Sequence, residues 1–254
     1  MLRNIKLTIE YDGTDYCGWQ IQKSHTPHAS RYTSKSIQGT IEKVLSEILQ
    51  RKIRLIGSGR TDAGVHAQGQ VANFKTDSNI PLEKLQKALN ALLPGDIVIT
   101  KTKEVDMDFH SRFYAKSKVY RYTILNRPYP SALLKNRVYF YPYPLDIKLM
   151  RDESKVLLGR HDFSAFCASG SAHKNSARAI KKIKIIKEND LLCIDIEADG
   201  FLYNMARNIA GTLIEIGRGR FPKGRLRKIL LSRSRRLAGP TLPAQGLCLV
   251  KVKY

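Results

Sequence analysis

The stretch Gly57-Ser58-Gly59-Arg60-Thr61-Asp62-Ala63-Gly64-Val65-His66-Ala67 gathers three glycines, a guanidinium, a carboxylate and an imidazole. A carboxylate can attack an electrophilic carbon, and a guanidinium two residues away favours its ionised form. Glycines let a backbone take positive φ or run close to a ligand, so Asp62 is a candidate nucleophile in a site loop. The bland alternative is a turn in which Asp62 caps the chain and pairs with Arg60 at the surface. His66 is a candidate general base, although a histidine so placed is more often structural. Metal-dependent hydrolysis needs clustered carboxylates. Asp12, Asp15 and Asp77 are not motif-spaced, so no metal is expected.

Arg207 is the second unusual residue. It lies in Phe201-Leu202-Tyr203-Asn204-Met205-Ala206-Arg207-Asn208-Ile209-Ala210-Gly211, an otherwise apolar helical pattern. An arginine in such a setting is rarely buried unless paired, and the natural partner is a carboxylate from elsewhere in the chain. The alternative is a snorkelling surface side chain.

These groups sit in a strongly basic chain: 254 residues, with Lys+Arg 44 against Asp+Glu 22 and a net charge of +22. Such a charge attracts polyanions. Nine basic and no acidic residues fall between Arg218 and Arg236, and five more basic residues between Arg178 and Lys187. A third group, Arg112, Lys116, Lys118 and Arg121, is interleaved with Phe109, Phe113, Tyr114, Tyr120 and Tyr122. Basic groups track phosphates and aromatic faces stack on bases. His110, flanked by aromatics and an arginine, is read as an RNA contact. With no zinc-finger, helix-turn-helix or RNP pattern, shape-based recognition of a folded RNA is expected. The rival readings are an RNA binder without catalysis and a metal-dependent nuclease.

The elements that position these residues follow from periodicity. Residues 4–11 alternate as a half-buried strand. Ser36 caps a helix running to about Gln50, and Pro81 opens another that Pro94-Gly95 stops. Strands are expected at 53–56, 70–74, 97–105, 118–125, 137–141, 180–187, 191–198 and 246–252. Further helices are expected at 146–158, 203–216 and 225–231. Residues 23–35 read as a polar loop. The sum is an α+β fold: two similar βαβ-containing halves, residues 1–105 and 106–254, sharing a largely antiparallel mixed sheet with helices on one side. The first half carries the Asp62 loop, the second Tyr120 and Arg207.

Cys17, Cys167, Cys193 and Cys248 are widely spaced, which argues against disulfides or zinc. Cys193 and Cys248 read as buried core thiols. No apolar run approaches the roughly 18 residues that span a bilayer, and the N-terminus lacks the apolar block of a leader. A cytoplasmic protein without membrane contact is expected.

Four segments together resemble the TruA family of tRNA pseudouridine synthases. Gly59-Arg60-Thr61-Asp62-Ala63-Gly64-Val65-His66-Ala67, with Gln70-Val71 and Phe74, resembles its catalytic motif. Phe109-His110-Ser111-Arg112-Phe113 through Tyr120-Arg121-Tyr122 resembles its FHARF…YxY segment, with Ser111 for the usual Ala. Met205-Ala206-Arg207-Asn208-Ile209-Ala210-Gly211 resembles its MVRNIxG helix, with Ala206 for Val, and Leu242-Pro243-Ala244-Gln245-Gly246-Leu247 its PAxGL ending.

The resemblance implies the pseudouridine synthase fold. It also implies isomerisation of uridine to pseudouridine in the anticodon stem-loop of tRNA, with no metal or organic cofactor. Asp62 would be the nucleophile, adding to the uracil ring or to the ribose anomeric carbon. Tyr120 would stack on the flipped base and Arg207 would pair with Asp62. Arg60 would enter the RNA stack, Leu247 would line the pocket wall, and Phe109, His110, Ser111, Arg112 and Phe113 would meet RNA. Base flipping costs a few kcal/mol, which stacking and backbone contacts must offset. The segment Ala168-Ser169-Gly170-Ser171-Ala172-His173 lies where the family has a loop near tRNA. The family is usually a homodimer with each tRNA across both subunits.

Overall fold

The computed structural model describes residues 1–21, 35–168 and 175–254. The loop expected at 23–35 and the tRNA-proximal segment at 168–173 therefore lie, but for residues 35 and 168, outside the described residues. The described residues contain ten strands and five α-helices. They divide into one unit of Met1–Lys116 with Leu249–Tyr254 and a second of Ser117–Cys248.

In the first unit, β1 (Arg3–Tyr11) realises the alternation of its sequence. Ile5, Leu7, Ile9 and Tyr11 are buried while Lys6, Thr8 and Glu10 keep contact with solvent. β1 pairs antiparallel with both β3 (His66–Thr76) and β4 (Ile97–Val105). β3 and β4 thus run parallel with β1 between them, and α2 (Leu82–Leu92) makes the crossover of a split βαβ unit. Thr102, the register partner of Leu7, donates its hydroxyl to Leu82 O and Gln86 Oε1, so α2 covers the apolar face of the sheet. α1 (Ile37–Leu49) starts at Ser36, whose Oγ accepts from the Gly39 N–H at 3.1 Å. It buries Ile37, Ile41, Val44, Leu45 and Leu49. Truncating one such residue to Ala costs about 2–5 kcal/mol.

The strand expected at 53–56 shrinks to β2 (Ile56–Gly57), paired with β3. The reason is local. The N–H of Ile53 goes to Ser46 Oγ and that of Leu55 to Glu42 Oε1, both on α1, instead of to a neighbouring strand.

In the second unit, β5 (Ser117–Leu125), β9 (Leu191–Ala198), β8 (Ala177–Glu188) and β7 (Gly159–Asp162) form an antiparallel sheet in that order. The two-residue β6 (Tyr139–Phe140) lies parallel to β5. It is shorter than expected because the Arg137 and Val138 N–H groups turn back to Leu134 O at one end and the Asn126 amide takes the Tyr141 carbonyl at the other. The helix expected at 146–158 is α3 (Ile147–Ser154), capped by Asp146, followed by a 3₁₀ turn over Lys155–Leu157. Gly159 then opens β7 at φ 93°. The Gly-Arg-His-Asp of that strand carries no alternation and is held through the β8 ladder. α4 (Met205–Gly217) is almost wholly buried and meets β5 and α3. α5 (Arg225–Ser232) buries Leu226, Ile229 and Leu230. β10 (Leu247–Lys253) closes the chain.

The core-thiol expectation for Cys193 and Cys248 is not met. All four cysteines are unbridged and none is fully buried. Cys193 alternates with the buried Leu192 and Ile194 on β9, on the opposite face of the sheet. Partial burial still pushes its thiol pKa up.

Candidate active site

The Asp62 loop leaves β2 at Ser58 and rejoins the sheet at His66, and fixed partners tie it down along its length. Ser58 donates its N–H to Val71 O at 2.7 Å and its hydroxyl to Gln70 Oε1 at 2.7 Å. Gln70 Nε2 returns a bond to Gly59 O at 3.1 Å. Ser58 and Gln70 are fully buried. Thr61 is held from two sides: its carbonyl accepts the Trp19 N–H at 3.0 Å, and its Oγ1 lies 2.8 Å from the Tyr11 hydroxyl. Gly18 makes the close approach possible. It sits at φ 103°, and a Cβ there would stand 2.5 Å from the Thr61 carbonyl oxygen. The Val65 N–H bonds to Asp62 O at 3.1 Å and tightens the turn. Trp19 lies against Gly57, so that glycine makes room for an indole.

The result is a half-buried Asp62 on an anchored backbone, with Arg60 exposed beside it. His66 is buried, and its Nδ1 accepts the Gly13 N–H at 3.1 Å. That bond implies the neutral tautomer with its proton on Nε2; a proton on Nδ1 would instead go to Asp12 Oδ1, also 3.1 Å away. Either way the ring ties β3 to the turn after β1, which is a structural task.

The Phe109–Phe113 segment belongs to the same unit and is docked by two buried asparagines. Asn4 Nδ2 donates to Asp106 O and Phe109 O, and Asn73 Nδ2 to Asn4 Oδ1 and Phe109 O. Asn73 Oδ1 accepts the Ser111 N–H at 3.0 Å. Ser111 is itself buried, its hydroxyl donating to Ile56 O and its carbonyl accepting from the Tyr254 hydroxyl. The Phe109 ring packs on Tyr114 and Tyr254. What reaches solvent is a platform. The Phe113 ring, 76% exposed, stacks on His110 at 4.2 Å with the Arg112 guanidinium 5.9 Å from its centre. His110 Nδ1 accepts the N–H groups of Arg112 and Phe113, which sets the ring's orientation. Sequence reasoning missed Asn4 and Asn73; the available signal was a polar residue interrupting each apolar strand.

In the second unit, Tyr120 is buried on β5 opposite Ile196 and meets the Phe201 ring edge-on at 4.8 Å. Arg207 is half-buried in the first turn of α4. Its Nε donates to Leu242 O at 2.6 Å and its Nη1 to Asn204 Oδ1 at 2.8 Å. The neighbouring Asn208 is fully buried. It donates to Phe166 O and accepts from Arg235 and Thr241. The Thr212 hydroxyl accepts the Gly239 N–H. Gly211 carries no side chain where a Cβ would stand 1.9 Å from Pro240 O. The run 239–242 is thereby lashed to α4, which delivers the Leu242 carbonyl to Arg207. Tyr122 donates to Pro243 O at 2.8 Å; burial pushes its phenol far up while the Arg207 charge opposes this. Leu247 is buried directly after Gly246, which packs on the Tyr122 ring.

The basic stretch 218–236 is not uniform. Arg220 and Arg218 lie 3.2 and 3.5 Å from the buried Glu215 carboxylate. Arg233 pairs with Asp162, and Arg235 donates inward to Gly239 O, Asn208 and Thr241. Burial holds the Arg235 pKa below its usual range. Lys223, Arg227, Lys228 and Arg236 are exposed. Among the described residues no group of three or more His, Cys, Asp or Glu is placed to hold a metal ion. No helix among them is long and apolar enough to cross a membrane.

Comparison with known proteins gives a consistent result. The profile of a family described as tRNA pseudouridine synthase matches residues 7–114 and 154–254. The chain is 49% identical over 253 residues to tRNA pseudouridine synthase A of Acetivibrio thermocellus, covering all of both chains. It is 49% identical over 254 residues to tRNA pseudouridine synthase A 2 of Clostridium tetani, and 46% over 253 residues to tRNA pseudouridine synthase A of Clostridium acetobutylicum, again over the full length of both chains.

Proposed function

The chain belongs to the tRNA pseudouridine synthase family, and we propose that Asp62 is the nucleophile with which it isomerises uridine in the anticodon stem-loop of tRNA. The observation that carries this reading is the placement of Asp62. It is half-buried on a loop tied down just before it, at Thr61 by Tyr11 and Trp19 and at Ser58 and Gly59 by Gln70. A nucleophile held in one place contributes through orientation.

In the reaction the N1–C1′ bond breaks, a C5–C1′ bond forms, C5 loses its proton and N1 takes one up. Asp62 serves by adding transiently to the uracil ring or to C1′ and is released in the second half. Tyr120 stacks on the flipped base and assists proton removal, Leu247 supplies an apolar wall, and Arg207 is the cationic partner that keeps Asp62 ionised. Arg60, exposed beside Asp62, enters the RNA stack. His110, Arg112 and Phe113 offer a stacking and phosphate-binding platform. Phe109 and the buried Ser111 hold that platform in place. The reading needs no metal or organic cofactor. It takes the enzyme as a cytoplasmic homodimer with each tRNA lying across both copies.

Incubation with tRNA carrying tritium at uridine C5, in EDTA, tests this. Tritium release from intact strands, lost in Asp62→Asn, supports the assignment. Tight binding without release points to a non-catalytic binder. Strand cleavage that EDTA abolishes points to a nuclease.

A further inference from the structure

Asn204 occupies the residue before α4 in a left-handed conformation, φ 59° and ψ 7°. Asparagine is one of the few non-glycine residues that accept this geometry. A side chain that caps a helix does so from an extended backbone, as Ser36 and Asp146 do here; the left-handed Asn204 makes no capping bond, which leaves its amide for another partner. The amide oxygen is turned to the Nη1 of Arg207 at 2.8 Å, while Leu242 O takes Nε at 2.6 Å.

Two acceptors on different atoms of a planar guanidinium fix both its plane and its roll, which one bond leaves free. The second acceptor is anchored independently, since the run containing Leu242 is held to α4 through Asn208 and Thr212. The left-handed conformation of Asn204 is thus coupled to the orientation of the guanidinium that its amide braces.

We propose that Asn204 is a positioning residue for the isomerisation: it sets the orientation of the Arg207 guanidinium. The proposal rests on the assignment of Arg207 as the partner that keeps Asp62 ionised.

The test uses Asn204→Gly, which retains access to the left-handed conformation and removes the amide, and Asn204→Asp, which retains an acceptor oxygen. Single-turnover rate, its pH profile, tRNA affinity and melting temperature are measured for each, with Arg207→Ala alongside. Asn204→Gly is expected to lower the rate about tenfold or more with affinity nearly unchanged, as misplacement by a fraction of an ångström does. Its acid limb moves to higher pH by about half a unit or more, because a carboxylate with a misaligned cationic partner is more easily protonated. Asn204→Asp keeps a rate above that of Asn204→Gly.

A normal rate and acid limb in Asn204→Gly overturn the proposal. So does a rate loss with no movement of the acid limb, or one that follows the melting temperature. If Arg207→Ala itself keeps the normal rate and acid limb, the underlying assignment of Arg207 fails. If Arg207→Ala is inactive while Asn204→Gly is normal, only the role of Asn204 fails.

Discussion

The hydroxyl of Tyr11, the last residue of β1, lies 2.8 Å from Thr61 Oγ1, one residue before Asp62. Both side chains are buried, so the loop that carries the carboxylate is tied to the centre of its sheet. A net hydrogen bond contributes about 0.5–1.5 kcal/mol, and a buried hydroxyl left without a partner costs about 1–3 kcal/mol. Tyr11→Phe should therefore lower the melting temperature by a few degrees. It should also reduce kcat several-fold with little change in tRNA affinity, because the bond orients the loop and makes no RNA contact. Loss of affinity with an intact kcat would contradict this.

Asp62→Asn is expected to abolish tritium release while tRNA affinity stays within a few-fold. The substitution is nearly isosteric, and the loop is held by Thr61, Ser58 and Gly59 through bonds that do not involve the carboxylate. Residual turnover in a preparation free of wild-type enzyme would show that another group attacks.

What the sequence made legible follows from how local each signal is. The alternation of Ile5, Leu7 and Ile9, the Ser36 cap, and Pro81 with Pro94 all act within a few residues, and β1, α1 and α2 stand where they predict. β2 and β6 were overestimated because side chains of Glu42, Ser46 and Asn126, and the Leu134 carbonyl, claim backbone groups that a strand would use. β7 left no trace in its own residues because its bonds come from β8. The chemistry of the Asp62 loop was visible in residue types. Its anchoring by Tyr11, Trp19 and Gly18 was not, since those partners lie some 40 to 50 residues away and Trp19 holds Thr61 through its backbone N–H. Arg207 was flagged by its apolar surroundings, but a carbonyl acceptor such as Leu242 O carries no sequence signal.

Phe113→Ala should weaken tRNA binding without harming the fold. The ring is 76% exposed and its partners are the surface groups His110 and Arg112. Removing a side chain on which a base stacks costs about 1–3 kcal/mol of affinity. Equal affinities for wild type and variant, at matched salt and unchanged melting temperature, would show that the platform does not meet RNA.

The basic stretch 218–236 yields a prediction that composition alone does not make. Its arginines divide by partner. Arg235 works inside the fold, and Arg218 and Arg220 are engaged by Glu215, whereas Lys223, Arg227 and Lys228 are exposed along and just before α5. A cation that neutralises a phosphate on binding releases counterions and steepens the salt dependence by about 0.7–0.9 in log–log slope. Replacing Lys223, Arg227 and Lys228 with Ala should therefore flatten the slope by about 2 units if all three meet phosphates, with unchanged stability. Arg235→Ala should leave the slope alone and lower the melting temperature instead, since it removes the donor to Gly239 O and Thr241 Oγ1 and one of the two donors to Asn208 Oδ1. Slopes measured by equilibrium binding across salt concentrations decide it: an unchanged slope in the triple variant would remove α5 from the RNA-binding surface.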